Sequence, residues 1–250
     1  MISVCMATFN GAEFVAAQIL SILPQLSSLD EVIIYDDCST DTTTSELLAI
    51  IDPRIHVIKG YQNVGYVEAF ERCLCSASGE YIFLSDQDDV WHANKVDVVM
   101  RSLQSVDFVA HDVRYVDKNL RPLGFNGGSQ RSLSVGLFAN LIQIRILGCA
   151  MAFRRELLDY ALPFPKNHKL MSHDAWLVLV AAMSFRTDVI KPPLLDYRRH
   201  RYNTSNGGGK SENSLGTKTL IRCYAVAQLI RVFLFKMKRQ ARCGIKNTNV

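Results

Sequence analysis

Apolar residues gather in short blocks along the first half of the chain, and stretches with helical spacing separate them. Ile2–Ala7 and Glu31–Asp36 are dense in Val, Ile and aromatic side chains and short enough to be buried strands. Arg54–Lys59, Glu80–Ser85 and Val106–His111 continue the series. Between them Glu13–Leu23, Thr43–Ile51, Val67–Ala77 and Asn94–Leu103 read as helices. Pro24 and Pro53 stand where two of these helices must have ended, and Asp41 before a threonine-rich run marks a helix start. Strands alternating with helices predict an α/β fold with a mostly parallel, doubly wound sheet, whose ligands collect at the carboxyl ends of the strands. Three of those ends are polar. The first strand runs into Thr8-Phe9-Asn10-Gly11, the second into Asp36-Asp37-Cys38-Ser39 and the fourth into Asp86-Gln87-Asp88-Asp89.

The second half is less regular. It holds a Gly/Ser-rich stretch at Gly124–Ser134, an apolar strand at Leu147–Phe153, a helix from about Asp174 to Met183 and a Gly/Asn-rich loop at Asn203–Gly209. A last helix, Lys218–Arg242, sets Cys223, Val226, Ile230, Phe233 and Met237 at alternating spacings of three and four, widened by Ala227 and Leu234. Arg222, Arg231, Lys238, Arg239 and Arg242 project from its other side. Two expectations follow: the apolar stripe packs on the body with a solvated basic face, or the helix lies on an anionic membrane surface.

Charge sharpens that contrast. Eight cations and no anions fall from Asn213 onward, so the net charge of +4 divides into +8 on the tail and −4 on residues 1–212. A nucleic-acid binder would be basic throughout, so none is expected as a partner. With 48% hydrophobic and 21% charged residues the chain can bury a core. Its seven cysteines are scattered without a CxxC pair, which points away from zinc and from a disulfide framework. The segment Ala225–Phe235 is broken by Gln228 and Arg231, so no membrane span is expected. The first residues lack the basic and long apolar parts of a signal peptide, and a cytoplasmic protein is expected.

Alternate carboxylates at a strand end, as in Asp86-Gln87-Asp88, can direct two oxygens at one hard cation. Asp88 and Asp89 could instead cap the following helix. Asp36-Asp37 could initiate a turn, or one carboxylate could accept the imide N–H of a uracil or thymine base. His56 and His111 read as structural. Trp91 could stack on a sugar or anchor the next helix, and Trp176, beside Asp174, has a better claim to line an acceptor pocket. Gly207-Gly208-Gly209 lacks the strand–loop–helix context of a phosphate loop; it could be a lid or a linker. A sugar nucleotidyltransferase would share nucleotide-and-metal chemistry but would carry a Gly-rich N-terminal loop followed by a basic residue. A phosphoacceptor domain would occupy only about half the chain. A non-catalytic sugar-binding protein would not need the acidic set.

The strings SVCMATFNG, EVIIYDDCSTDTT, NVGYVEAFERCL, YIFLSDQDDVWHANKVD, LGCAMAFRREL and SHDAWLVLVA, taken in order and spacing over residues 1–205, resemble family 2 inverting glycosyltransferases of the GT-A fold. Within the family they are most similar to bacterial rhamnosyltransferase-type enzymes of O-antigen and capsule assembly. The resemblance implies that Asp37 binds the nucleobase, with Thr8 and Asn10 near the nucleotide. It implies that Asp86 and Asp88 form the diphosphate–metal site for Mg²⁺ or Mn²⁺, Asp88 as direct ligand. Asp174 falls at the catalytic base, and Arg198 and His200 in a segment that approaches the diphosphate, His200 as a further metal ligand. Residues 1–110 would bind the nucleotide sugar, 111–210 the acceptor, and 211–250 would form the basic tail. The implied donor is dTDP-L-rhamnose or a UDP-hexose, and the implied acceptor a saccharide on undecaprenyl diphosphate at the inner face of the membrane. Two departures mark this chain: Cys38 replaces the usual Gly of the second motif, and His173-Asp174 stands where many members have Glu-Asp. The Gln/Arg-x-x-Arg-Trp motif of processive synthases is absent, which implies single-sugar addition.

Overall fold

Both faces of the early strands are apolar in sequence, and both are covered. A computed structural model describes residues 1–126, 133–201, 203 and 213–246, with 125–126 and 238–246 as backbone only. The chain runs β1 (Ile2–Thr8), α1 (Val15–Ile22), β2 (Glu31–Asp36), α2 (Thr43–Ala49), β3 (Ile55–Lys59), α3 (Tyr66–Ser76), β4 (Tyr81–Ser85), β5 (Val90–Trp91) and α4 (Lys95–Leu103). It continues through β6 (Phe108–Asp117), β7 (Pro122–Asn126), α5 (Leu137–Ile142), β8 (Met151–Arg154), α6 (Leu158–Ala161), α7 (His173–Ser184), β9 (Thr187–Arg199) and α8 (Leu215–Lys246).

Along β1, Val4 and Met6 join Val15, Ile19 and Ile22 in one core, while Cys5 between them joins Val67, Phe70 and Cys73 in the other. That two-residue alternation is the pleat of a strand buried on both sides. One sheet carries both halves, ordered β3-β2-β1-β4-β8-β6-β9-β5, with β7 paired to β6. β1 to β4 are mutually parallel, β8 is reversed between β4 and β6, and β9 runs parallel to β6. The mostly parallel GT-A-type sheet expected from the sequence is present, with β5, β7 and β8 reversed.

The expected strand at Leu147–Phe153 starts later, because Gly148–Ala150 forms a tight 3₁₀ turn before β8. The strand expected at Val106–His111 extends to Asp117 and pairs with a strand that was not expected, β9. Pro192 and Pro193 argue against a strand, since proline cannot donate to a ladder. The register steps from His111↔Ile190 to Asp112↔Pro193, and the bulge absorbs the prolines. Gly207–Gly209 and most of Gly124–Ser134 lie outside the described residues.

Where β9 resumes, Asp196 is held by Arg114 of β6 through Nε at 2.6 Å and Nη2 at 2.7 Å, and by His92 at 2.9 Å. Burial alone would raise this carboxyl, but the hydrogen bonds from His92 and Arg114 outweigh it and hold its pKa at about 2. A carboxylate whose pKa is depressed on folding stabilises the fold above its unfolded pKa, and that contribution disappears as pH falls through the folded value. Asp196→Asn is therefore expected to cost about 1–2 kcal/mol at pH 7, discounted because Arg114 is half exposed. Chemical denaturation from pH 7 to pH 2 should show the gap to wild type closing below about pH 4; a constant gap would remove the charge from the account.

The last helix corrects an expectation. α8 buries Ala225, Leu229 and Val232 against α6 and α7, a stripe rotated away from the one read in the sequence. Val226, Ile230, Phe233 and Met237 are 43–53% exposed. The stripe expected to pack on the body faces away from it. Among the described residues no helix is long and apolar enough to cross a membrane.

Candidate functional site

The parallel register of β1, β2 and β4 brings their three polar ends together at one rim of the sheet. Each end is fastened by its own side chains. Asp36 is fully buried and accepts from Thr8 Oγ1 at 3.1 Å, from Thr44 Oγ1 at 3.2 Å and from the Ser39 hydroxyl. It is a knot between β1, β2 and α2, whereas its neighbour Asp37 lines the open space. Asp37 accepts the backbone N–H of Val64 at 2.7 Å and of Gly65 at 2.9 Å, bracing the loop that starts α3. Asn10, at φ +49°, accepts the Thr40 N–H at 2.8 Å through Oδ1. Cys38 sits at φ +65°, a left-handed conformation in which glycine carries no side-chain penalty. The cysteine bears the strain of that left-handed conformation.

Gln87, to which the sequence gave no role, clamps two of these loops. Its Oε1 accepts the Phe9 N–H at 2.9 Å and its Nε2 donates to the Phe9 carbonyl at 3.1 Å. Gly11 leaves room for this clamp, since a Cβ there would stand 2.2 Å from Gln87 Oε1 and displace the side chain. Clamped this way, the Asp86–Asp88 loop lies against Thr8–Asn10.

β9 supplies the other wall. Arg198 is buried; its N–H donates to Asp89 at 3.1 Å, its Nε to the Asp88 carbonyl at 2.7 Å, and its guanidinium lies 4.8 Å from the centre of the Phe14 ring. These bonds fix the acidic loop, and Arg198 does not line the cavity, contrary to the expectation that it meets a diphosphate. His200 does line it. Its ring stacks on Phe14 at 4.7 Å, and Nε2 lies 2.8 Å from Asp88 Oδ2, which Asn203 also reaches at 3.1 Å.

Across the opening, Asp174 lies in the first turn of α7. Its Oδ1 accepts the Ala175 N–H at 2.7 Å and the Ser172 hydroxyl, leaving Oδ2 without a hydrogen bond among the described residues. Trp176 is a correction: it is buried in the core, its Nε1 donating to the Ala161 carbonyl at 2.8 Å, and it does not line the cavity. Trp91 is likewise buried, against Phe83 and Lys95, and anchors α4. His56 and His111 lie away from the cavity.

The cavity enclosed by these walls is about 1040 Å³ and is lined by Thr8, Asn10, Asp37, Asp86, Asp88, Asp174 and His200 among others. That volume suits a nucleotide with an attached small group. Its floor is unusually charged. Burial, then the nearby charges of Asp88 and Asp174, push the Asp86 carboxyl up to about 7. Asp89 is fully buried and pushed up for the same first reason, with Oδ2 unpartnered. Lys95 is the counter-charge beneath them: fully buried, its Nζ donates to the Cys149 carbonyl at 2.9 Å and lies 3.9 Å from the Trp91 ring centre. Desolvation pulls its pKa down to about 7.

These residues offer two places for a cation. Asp86, Asp89 and Cys149 bring ligand atoms within 4.8 Å of one another, but Lys95 already places a positive charge there, and a thiol is a soft ligand. The cavity side offers the harder ligands: Asp86 and Asp88 both line it, with His200 Nε2 2.8 Å from Asp88 Oδ2, although these three do not form a comparably tight group among the described residues.

Known proteins share this fold. The Staphylococcus aureus TarS fragment 1–349, solved in complex with UDP-GlcNAc, superposes with a TM-score of 0.69 at 18% identity, over 92% of this chain and 66% of that one. Glucosyl-3-phosphoglycerate synthase from Mycobacterium tuberculosis, solved with Mn²⁺, UDP and glucosyl-3-phosphoglycerate, superposes at 0.58 with 21% identity, over 93% and 79%. In sequence, the Escherichia coli UDP-Glc:alpha-D-GlcNAc-diphosphoundecaprenol beta-1,3-glucosyltransferase WfgD is 29% identical over 48% of this chain, a segment spanning 48% of its own length. Residues 3–160, more than half of the chain, match the family described as Glycosyl transferase family 2, and the chain belongs to that family.

Proposed function

We propose that the protein transfers one sugar, with inversion, from a nucleoside diphosphate to a hydroxyl of a saccharide acceptor in bacterial surface-polysaccharide assembly. The observation that carries the reading is the opposition of Asp174 on α7 to Asp37, Asp86 and Asp88 on the strand ends, across one cavity. In that reading Thr8, Asn10 and Asp37 hold the nucleoside, and Asp86, Asp88 and His200 hold a Mg²⁺ or Mn²⁺ ion. A bound divalent cation supplies positive charge against the departing diphosphate. Asp174 takes the proton of the acceptor hydroxyl as its oxygen bonds to the anomeric carbon and the bond to the diphosphate breaks on the opposite face. The free Oδ2 suits that role, because Oδ1 is already committed to the start of α7. A UDP-hexose is favoured over dTDP-L-rhamnose as donor, because TarS is solved with UDP-GlcNAc and WfgD is named for UDP-Glc. The acceptor class, a saccharide on a lipid diphosphate, is supported by the WfgD name.

Purified protein supplied with a panel of nucleotide sugars and lipid-diphosphate-linked saccharides should release free nucleoside diphosphate and give a product inverted at the anomeric carbon by NMR. Release of pyrophosphate would mark a nucleotidyltransferase instead.

A lipid-linked acceptor places the substrate at a membrane, and the outward stripe of α8 supports docking there. Val226, Ile230, Phe233 and Met237 are exposed in a segment with eight cations and no anions, the composition of a helix lying on an anionic surface. Changing Lys236, Lys238, Arg239 and Arg242 to Gln should reduce binding to vesicles of anionic phospholipid at least about tenfold, at ~1 kcal/mol per cation. Activity on a short soluble acceptor should not change. Equal vesicle binding by the variant and wild type would refute the docking.

A further inference from the structure

His173 opens α7 one residue before Asp174, and it is nine-tenths buried, yet neither ring nitrogen has a hydrogen-bond partner among the described residues. The ring is not free to turn toward one. It lies flat on Phe70, 4.1 Å between centres and 19° between planes, and meets the edge of Tyr66 at 5.7 Å. Its Nε2 faces Gly148, where a Cβ would stand 2.9 Å away, so any other residue at 148 would crowd that nitrogen. His173, Tyr66, Phe70, Gly148 and Asp174 all border the same cavity. Burial holds the imidazole pKa below its usual value against the pull of Asp174. A neutral imidazole offers one N–H donor and one acceptor.

Buried polar groups are nearly always paired, and one that is not carries a desolvation cost that a ligand can recover. Asp37 and Asp88, across the same cavity, have protein partners. The ring nitrogens of His173 have none among the described residues. The two nitrogens diverge, so one hydroxyl meets only one of them, and a hydroxyl suits either because it can donate or accept.

We infer that His173 hydrogen-bonds a sugar hydroxyl in this site, held for that contact by Phe70 and Tyr66 and given room by Gly148. The inference rests on the glycosyltransferase reading above. Hydroxyls reach this wall from two sources, the sugar of the donor and the acceptor saccharide, and the test separates them.

His173→Phe keeps an aromatic ring on Phe70 and deletes both nitrogens; His173→Gln restores a donor and an acceptor near Nε2; Gly148→Ala keeps the imidazole but sets a methyl 2.9 Å from Nε2 and 3.5 Å from Asp174 Cβ. Calorimetry would compare the nucleotide sugar chosen by the donor panel with its nucleoside diphosphate alone, alongside acceptor KM and Tm. The expected result for His173→Phe is unchanged nucleoside diphosphate affinity and about a tenfold loss in one of two places. Loss of nucleotide-sugar affinity assigns the contact to the donor sugar, and a rise in acceptor KM assigns it to the acceptor. His173→Gln should recover part of the loss and Gly148→Ala should reproduce it. The Tm of His173→Phe should equal or exceed that of wild type, since two unpaired nitrogens leave the interior. Unchanged sugar affinity and acceptor KM would overturn the inference. So would a lower Tm accompanied by equal losses for nucleoside diphosphate and nucleotide sugar, the mark of a packing role. Should His173→Phe not fold, Gly148→Ala and His173→Gln carry the same comparison. A wild type that binds no nucleoside diphosphate would instead sink the functional reading itself, before any variant is made.

Discussion

Replacing Asp174 by asparagine is expected to lower kcat by about 10²–10⁴-fold, the range a positioned proton acceptor contributes, while the donor Kd stays within about twofold. The structure makes this substitution cleaner than most. Oδ1 accepts the Ser172 hydroxyl and the Ala175 N–H, and asparagine keeps that oxygen, so the start of α7 survives. Only the second position changes, from a proton-accepting oxygen to an amide. A loss confined to kcat is the signature of an interaction needed in the transition state. Single-turnover kinetics with a saturating donor would measure it. Collapse of donor binding would make Asp174 a donor-site residue, and an unchanged kcat would remove it from the chemistry.

The second large effect concerns Asp88. Asp88→Asn should reduce transfer by about 10³-fold, because losing a charged ligand to a cation that offsets the leaving diphosphate removes several kcal/mol of transition-state stabilisation. Asparagine is preferred to alanine here. His200 and Asn203 both bond Asp88 Oδ2, so truncation would also release the end of β9, and an activity loss could then be read as a loss of shape. The variant's Tm should stay within a few degrees of wild type. EDTA should abolish wild-type transfer, with Mg²⁺ or Mn²⁺ restoring it. Full activity in chelator would end the metal assignment.

How far the sequence revealed this site depended on whether each residue's role was local. Strand ends declare themselves, since an apolar run that stops at a polar cluster has one sensible orientation in a parallel sheet; Thr8, Asn10, Asp37, Asp86 and Asp88, all read at such ends, line one cavity in the structure. Roles that exist only between distant segments were not legible. Gln87 looked like a spacer between two acids until the register of β1 and β4 set it against Phe9. Lys95 received no role, because lysine is rarely buried without a paired charge and the acids above it, Asp86 and Asp89, come from another loop. Trp176 was expected at the cavity because it is close to Asp174 in sequence. Two residues along a helix is a rotation of roughly 200°, which sends Trp176 into the core when Asp174 faces the opening. Arg198 was named, but its strand β9 was hidden by two prolines whose missing donors the bulge accommodates. The stripe on α8 was legible as a pattern, but its partner was left open between body and membrane, since two apolar stripes share that helix and spacing alone does not say which one meets the body.

Lys95 has a consequence for how the site responds to ionic strength. A surface cation loses its influence as salt shortens the screening length, to about 10 Å at 0.1 M and 3 Å at 1 M. Lys95 has no solvent-accessible surface, and its charge reaches Asp86 and Asp89 from below through protein. Mobile ions cannot come between them, so added salt leaves the counter-charge under the acidic loop in force. Salt therefore does not tune the potential on the cavity floor; pH does, because burial brings both the Asp86 carboxyl and the Lys95 ammonium to about 7.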